Sequence, residues 1–305
     1  MKKKIVIWLA VIIGLFAIGG GAYAWHIYSK VSNTLEAVHK PLDREKSDKR
    51  KEKVDIGDQK PISILLMGVD QKESESARSD SLMLFTLNPK TESMKILSIP
   101  RDSYTDIVGK GTKDKINHAY AFGGIDMAVK TVENFLDVPV DHYIEVNMRG
   151  FQDVVDAVGG VDVNNDMEFT YEKIHYAKGE IHLNGMEALH YSRMRKLDPR
   201  GDFGRQMRQR QVIQAVIKKG ANFSSLANYG DILSAIQKNV KTSLNQEQMF
   251  EIQKKYKDCI KNTEEIQIPG DGHIASNGIW YYYVSDQTRS DISSKLRNQL
   301  ELDRK

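Results

Sequence analysis

The sequence has almost no cysteine, since Cys259 is the only one among 305 residues. A single cysteine excludes an intramolecular disulfide and any metal cage built from cysteines. The expected role of Cys259 is therefore packing in the core. Several catalytic motifs are also missing. The stretch 109–113, GKGTK, lacks the spacing of a phosphate-binding P-loop, and neither GxSxG nor HExxH occurs. The histidines are scattered without the spacing of metal ligands.

The chain also lacks a strong net charge. It carries 44 Lys and Arg against 41 Asp and Glu, for a net charge of +3, with 40% hydrophobic and 28% charged residues. This is the composition of an ordinary globular protein, long enough for one large domain or two small ones with a sizeable core. Local clusters of charge are therefore more informative here than the total.

The N-terminus carries a long apolar run. Residues 1–4 (MKKK) are basic and residues 5–25 are uncharged and mostly apolar, about the length that spans a bilayer. We predict a cytoplasmic tail (1–4) and a retained transmembrane signal-anchor helix (5–25), which makes a single-pass type II membrane protein. The alternative is a cleaved signal peptide, because Ala22-Tyr23-Ala24 resembles a cleavage site. Both interpretations place the rest of the chain outside the cytoplasm, which argues against a nucleic-acid partner.

Composition then divides the remainder in two. Residues 26–60 are rich in Lys, Asp and Glu and are predicted to form a polar stalk. Residues 61–305 are predicted to form one extracytoplasmic domain. Apolar runs predict a buried strand over Ile62–Gly68 and an antiparallel hairpin from SLMLFTL and SMKILSIP. Helices are predicted at 125–136, 151–158, 185–192, from Asp202, near Ile232 and Phe250, and from Ser290; further strands are predicted at 142–147, 161–165, near Ile266 and at 280–284. This mixture predicts an α/β (α-β-α) fold, a central mixed sheet with helices on both faces.

The segment Tyr191–Gln211 concentrates seven cations against two aspartates, Asp198 and Asp202. Its first half is turn-like, with Asp198-Pro199 and Gly201, and a helix begins at Asp202. At 100° per residue, one face of that helix carries a polar patch followed by an apolar stripe, formed by Asp202, Arg205, Gln209, Ile213 and Val216. Such a face suits an anionic head group with an apolar tail, whereas a solvated basic helix is the alternative.

Two further loops carry candidate groups. Asp70 follows the first strand and Asp80 begins the second, so the two carboxylates could share a Mg²⁺, which prefers oxygen ligands; turn formation is the alternative role. Arg101 follows Pro100 at the end of a strand and suits forked phosphate contacts, with a surface salt bridge as the alternative. Lys115 is a further candidate phosphate contact.

Taken in order, a set of motifs resembles the LytR-CpsA-Psr family, membrane-anchored wall-polymer ligases of Gram-positive bacteria. The motifs are GVDQ, RSDSLM, SIPRD, KINHAYAFGG, VDVN, LNGMEALHYSRMR and GDFGRQMRQRQ, spanning about residues 62–219. The resemblance is strongest to the branch that attaches wall teichoic acid to peptidoglycan.

This resemblance implies roles for individual residues. It implies Mg²⁺ as cofactor, held by Asp70 and Asp80, and a catalytic set of Asp80, Arg101, Arg193 and Asp202. The diphosphate of the substrate would contact Arg78, Arg101, Lys115, Arg193, Arg195, Arg205 and Gln209. Lys196, Arg200, Arg208 and Arg210 are left as solvated surface residues.

The implied reaction is phosphoryl transfer, which needs mainly alignment and charge neutralisation from the protein. A peptidoglycan sugar hydroxyl would attack an undecaprenyl-diphosphate-linked teichoic acid, with Asp202 or Asp80 as base. The membrane and the peptidoglycan acceptor are thus the implied partners, on the cell-wall side. Two alternatives stay open: a non-enzymatic, membrane-anchored polyanion-binding or attenuator protein, and a polyprenyl diphosphatase.

Overall fold

The computed structural model describes residue 29 and residues 32–70, 78–221 and 237–302. The predicted tail and anchor (1–25), the predicted helix near Ile232 and the loop 71–77 lie outside these residues. Within the described part of the chain, no helix combines the length and apolar character needed to cross a membrane.

Fourteen strands and six α-helices with both ends in the described ranges are assigned, and residues 32–38 are also helical. The strands are β1 (Ile62–Asp70), β2 (Arg78–Asn88), β3 (Ser93–Ile99), β4 (Tyr104–Ile107), β5 (Thr112–Lys115), β6 (His142–Asn147), β7 (Val161–Asn165), β8 (Phe169–Tyr171), β9 (Ile174–Tyr176), β10 (Gly179–Leu183), β11 (Val240–Thr242), β12 (Asn262–Gln267), β13 (Asp271–Ile274) and β14 (Trp280–Tyr283). The helices are α1 (His118–Leu136), α2 (Met148–Ala157), α3 (Gly185–Arg193), α4 (Asp202–Ala221), α5 (Gln246–Lys255) and α6 (Asp286–Gln299).

A six-stranded mixed sheet forms the centre, in the order β11-β6-β1-β2-β3-β12. The pairs β1–β2, β2–β3 and β6–β11 are antiparallel, whereas β1–β6 and β3–β12 are parallel. Because side chains alternate along a strand, Leu65 and Met67 of β1 join one core and Ile62 and Ile64 join the other. The inner strands are apolar on both sides because both faces are covered.

Helices cover both faces of this sheet, as predicted. One core is completed by α1 and α6, through residues such as Phe135 and Leu296, and the other includes partly buried residues of α4 and α5. The predicted start of the first helix at Ile125 is where regular helix resumes, because α1 is kinked at Gly123 and Gly124, and Gly124 has φ +64°. The C-terminal helix begins four residues before the predicted Ser290, at Asp286 after the N-cap Ser285.

The segment predicted as a stalk is packed onto the domain over much of its described length. Arg44 makes two hydrogen bonds to Glu133, at 2.6 and 2.9 Å, and Arg50 makes two to Asp141, at 3.0 and 2.6 Å. Val38 and Ile56 are 2% exposed. The packed part of the chain therefore begins before Pro61, because partners distant in sequence neutralise the charges that made this segment look solvated.

A third core lies beyond the β6 side of the sheet. It is formed by α2, α3, the hairpins β7–β10 and β8–β9, and the middle of α4, and it contains Val155, Tyr176, Tyr191 and Val212. Asn184 begins α3 with a capping box, accepting from the Glu187 backbone N–H while the Glu187 carboxylate accepts from Asn184. This cap fixes the start of the helix that leads into the arginine-rich segment.

Candidate active site

A cavity of about 280 Å³ opens between the sheet and helices α2, α3 and α4. Most of its wall is apolar. The apolar lining comprises Leu66, Met67, Met83, Val146, Met148, Phe151, Val154, Val155, Tyr171, Leu189, Ile213 and Val216. The apolar stripe predicted for α4, Ile213 and Val216, thus lines the cavity. The apolar lining from α2 was not predicted. The signal for it was present, because Phe151, Val154 and Val155 recur at helical spacing in FQDVVDAV.

Charged and polar side chains enter the same cavity from three separate parts of the chain. The charged ones are Asp80, Arg101, Arg193 and Arg205, and the polar ones include Gln209. Asp80 comes from β2, Arg101 follows β3, and the remaining three come from α3 and α4. Five of the ten residues proposed for the site from sequence therefore line one cavity, and the other five do not line it: Asp70, Arg78, Lys115, Arg195 and Asp202.

A β-bulge brings Asp80 into the cavity. Gly68 of β1 pairs with Ser81 and the next residue, Val69, pairs with Ser79, so Asp80 is an extra residue on β2. A bulge redirects side chains at the point where it occurs. Both Asp80 and Ser81 line the cavity as a result, although consecutive residues of a regular strand point to opposite faces.

Arg101 holds Asp80 in place. Its Nη1 donates to Asp80 Oδ1 at 2.5 Å, and its Nε lies 3.7 Å from Asp102 Oδ2. Burial disfavours the guanidinium charge, but Asp80, Asp102 and Asp202 outweigh it and raise the pKa of Arg101. Lys115 does not line the cavity; its Nζ contacts Asp102 Oδ1 at 2.8 Å. Lys115 is therefore connected to the site through Asp102.

The first turns of α4 supply the opposite wall. Arg205 Nη2 lies 2.6 Å from Asp202 Oδ1, and Gln209 accepts a hydrogen bond from Ser81 Oγ at 3.2 Å. Burial lowers the pKa of Arg205, and the positive charges of Arg101 and Arg195 lower it further. The negative charges of Asp202 and Asp80 oppose this shift but do not reverse it. The Nε atoms of Arg101 and Arg205 are both buried without a hydrogen-bond acceptor among the described residues. A buried donor without a partner is costly, and a phosphate oxygen would satisfy it.

Carboxylate partners separate two classes of arginine. Within the described ranges, three arginines make no ion pair: Arg78, Arg193 and Arg195. All three are exposed and all were proposed as substrate contacts. Arg193 lines the cavity, and the charge of Arg195 acts on Arg205. Cations left without counter-charges beside a cavity favour an anionic ligand there.

The expectation that Arg208 and Arg210 are solvated is wrong. Arg208 is 0% exposed and donates to Asp198 Oδ2 at 2.6 Å and to Met194 O at 2.5 Å. Arg210 is 2% exposed and donates to Glu265 Oε2 at 2.6 Å and to Ser98 Oγ at 2.8 Å. These arginines tie the turn 194–201 and the sheet to α4.

The other two unassigned cations stay nearer to the expectation. Arg200 and Lys196 are both exposed. Arg200 nevertheless makes ion pairs with Asp166 and Asp198. Its contribution is therefore to the turn that precedes α4.

The donor set at the end of the β1–β2 hairpin suits a hard cation. Asp70 pairs in register with Arg78, and Asp80 follows two residues later at the bulge. Among the residues the structure describes, no group of three or more His, Cys, Asp or Glu is placed to hold a metal. Mg²⁺ takes its remaining ligands from water and phosphate. Two carboxylates therefore suit Mg²⁺ better than a cation that needs all of its ligands from the protein.

Comparison with known proteins gives one consistent result. The model of the LytR_cpsA_psr family matches residues 25–298. A relative from Bacillus cereus, named polyisoprenyl-teichoic acid–peptidoglycan teichoic acid transferase TagU, is 67% identical over 302 residues, covering 99% of each chain.

Solved structures agree with the sequence comparison. The crystal structure of B. subtilis TagU is 50% identical with a TM-score of 0.64, covering 79% of this chain and 97% of that one. A structure described as TagT bound to LIIa-WTA is 35% identical with a TM-score of 0.74, covering 86% of this chain and 100% of that one. Both values support a common fold as well as common ancestry.

Proposed function

Because this chain belongs to the LytR-CpsA-Psr family, we propose that it transfers teichoic acid from a polyprenyl-diphosphate-linked precursor to a sugar hydroxyl of peptidoglycan. One observation carries the proposal: Arg101, Arg193 and Arg205 line the same largely apolar cavity as Asp80. A diphosphate matches the cations and a polyprenyl chain matches the apolar wall. Burial of each CH₂ group contributes about 0.8 kcal/mol to binding.

The arginines position the diphosphate and neutralise its charge. Arg101 and Arg205 each offer a buried Nε–H without an acceptor among the described residues, and guanidinium groups suit forked contacts to phosphate. Neutralisation lets the acceptor oxygen approach phosphorus and stabilises the charge that develops on the leaving phosphate.

The bond changes balance without a further reactant. The acceptor hydroxyl oxygen forms a bond to the phosphorus next to the polymer, and the bond from that phosphorus to the bridging oxygen breaks. Polyprenyl phosphate leaves with the bridging oxygen, and a phosphodiester joins the polymer to peptidoglycan. We assign the hydroxyl proton to Asp202. Its ion pair with Arg205 would weaken when Arg205 turns to phosphate, which frees the carboxylate to accept a proton.

We further propose that Asp70 and Asp80 hold Mg²⁺, which when bound supplies positive charge to phosphate oxygens. Asp80 is already held by Arg101, so its orientation does not depend on the ion. We also propose that residues 5–25 anchor the chain in the cell membrane, with the domain on the cell-wall side, because a lipid-linked donor is confined to that surface.

The test is covalent transfer by the full chain in detergent, with lipid-linked polymer and peptidoglycan as substrates. Arg101→Ala and Arg193→Ala should each lower kcat/KM about a hundredfold or more, by analogy with the loss of one charge-stabilising donor. Arg149→Ala is the matched control, since Arg149 is an exposed arginine paired with Asp153 on α2. Full transfer by either site variant would refute the diphosphate contacts. Phosphate release without transfer would indicate a diphosphatase, and neither activity would favour a polyanion-binding protein.

A further inference from the structure

The hairpin of β13 and β14 presents an exposed aromatic and apolar surface that the reaction described above does not use. Trp280 is 41% exposed, and Ile274 and Ile279 are 67% and 43% exposed. Exposed clusters of this kind mark contact surfaces more often than scattered single residues do.

A glycine lets the indole ring of Trp280 lie across the hairpin. Gly272 on β13 faces Tyr282, and Ile274 faces Trp280. A Cβ added to Gly272 would lie 2.1 Å from Cζ2 of Trp280. The ring therefore occupies the space that any other side chain at 272 would fill, and its position is built into the sequence of the hairpin.

The hairpin packs against two segments that carry residues of the candidate active site. The Tyr282 backbone N–H donates to Asp102 O at 2.9 Å, directly after Arg101. The Tyr282 ring lies 6.5 Å from the Trp280 ring on one side and 6.0 Å from the Phe203 ring on the other. Phe203 follows Asp202 on α4. Burial raises the pKa of Tyr282 to about 12, and the nearby charges of Asp271 and Asp202 contribute. The Tyr282 ring is 6% exposed, so it packs between Trp280 and α4, and Trp280 is the ring of this pair that reaches solvent.

The charge of the hairpin indicates the kind of partner. Residues 269–284 read PGDGHIASNGIWYYYV, with Asp271 as the one formally charged residue and neither Lys nor Arg. Contact with anionic lipid favours basic residues, as does contact with a polyanionic polymer. A glycan needs an aromatic face for the C–H side of a sugar ring and uncharged polar groups for its hydroxyls and amides.

We propose that Trp280 binds a sugar of the acceptor glycan and directs the glycan toward Asp202. This proposal rests on the proposed transferase function. The donor then enters through the apolar cavity, and the acceptor approaches over the hairpin. Trp280 is a binding residue in this scheme, since it lies away from the diphosphate contacts.

The experiment varies Trp280 and measures transfer by the full chain as a function of acceptor concentration. With a peptidoglycan oligosaccharide as acceptor, Trp280→Ala should raise the acceptor KM about tenfold, the upper range for one aromatic contact. Trp280→Phe should recover part of this loss, and the donor KM should stay as in the unchanged chain. Phe250→Ala is the control, because Phe250 is similarly exposed (46%) but lies on α5.

Each result that contradicts the proposal leads to a different conclusion. An unchanged acceptor KM in Trp280→Ala overturns the proposal. An equal rise in donor KM also overturns it, since the hairpin would then support the donor site. Loss of binding to vesicles containing phosphatidylglycerol, with acceptor KM unchanged, would make the hairpin a membrane contact instead. If the unchanged chain transfers nothing, the proposed function fails. Co-sedimentation of the full chain with polymer-free peptidoglycan then still tests the role of Trp280. Equal binding by Trp280→Ala and the unchanged chain overturns the proposed glycan contact.

Discussion

Arg208 makes the most buried ion pair of the arginine-rich segment, and replacing it tests whether that segment is held by charge. Both side chains of the Arg208–Asp198 pair are 0% exposed. Arg208 also donates to the carbonyl oxygens of Tyr191 and Met194. The substitution Arg208→Met keeps most of the aliphatic volume while removing every donor.

The expected loss follows from what remains after the substitution. Asp198 would stay buried with Arg200 as its remaining cation, and two carbonyl oxygens would lose their donors. Removing one partner of a buried pair costs about 3–5 kcal/mol. Arg200→Met is the internal control, because Arg200 contacts the same carboxylate but is 38% exposed. Solvent screening limits its contribution to about 1 kcal/mol or less.

Urea unfolding at pH 7, followed by circular dichroism, measures both free energies of unfolding. Arg208→Met should lose at least twice the free energy that Arg200→Met loses. Equal losses, or a loss below about 1 kcal/mol in Arg208→Met, would refute the assignment of Arg208 as the main support of this turn.

Three further predictions concern charge and the cavity. The Arg200 and Arg208 contacts outweigh burial and lower the pKa of Asp198 below its ordinary value of 3.8. The stabilisation that these contacts give the folded protein is therefore present above pH 3.8 and is lost as the pH falls below it. Urea unfolding midpoints should fall between pH 6 and 3, and constant midpoints would contradict this prediction. Ile213→Asp should abolish retention of polyprenyl lipid, measured by mass spectrometry of purified protein, whereas the exposed Met186→Asp should retain it. Chelation of Mg²⁺ should stop transfer, and undiminished transfer in EDTA would remove the metal role of Asp70 and Asp80.

The elements that sequence predicts well are those with long apolar runs. The strands β1 to β3 and helices α2 to α4 follow from periodicity and caps. The hairpin of β4 and β5 was missed because Thr112–Lys115 reads TKDK, which carries no apolar pattern. Its strands are defined by hydrogen bonds to each other, which periodicity cannot detect.

The sequence predicts those site residues whose position follows from their spacing along a helix. The helical spacing placed Arg205, Gln209, Ile213 and Val216 on one face, and all four line the cavity. Arg210 was expected to be solvated, but its guanidinium donates to Glu265 and Ser98 in place of solvent. Partners distant in sequence decide whether a cation is buried, so the charge pattern alone could not identify Arg210 as structural. For the same reason, the charge pattern around Arg44 and Arg50 predicted a solvated stalk where the chain is packed on the domain.

The division between the exposed unpaired arginines and the paired, less exposed Arg101 and Arg205 has a kinetic consequence for the proposed reaction. Arg78, Arg193 and Arg195 act through solvent, where attraction of an anionic donor extends about a Debye length and is screened by salt. Arg101 and Arg205 act after the donor has entered, where solvent screening is weaker. In the proposed reaction, the first group would govern how fast the donor associates, and the second would govern how slowly it leaves. We therefore expect ionic strength to change the association rate of the proposed donor much more than its residence time.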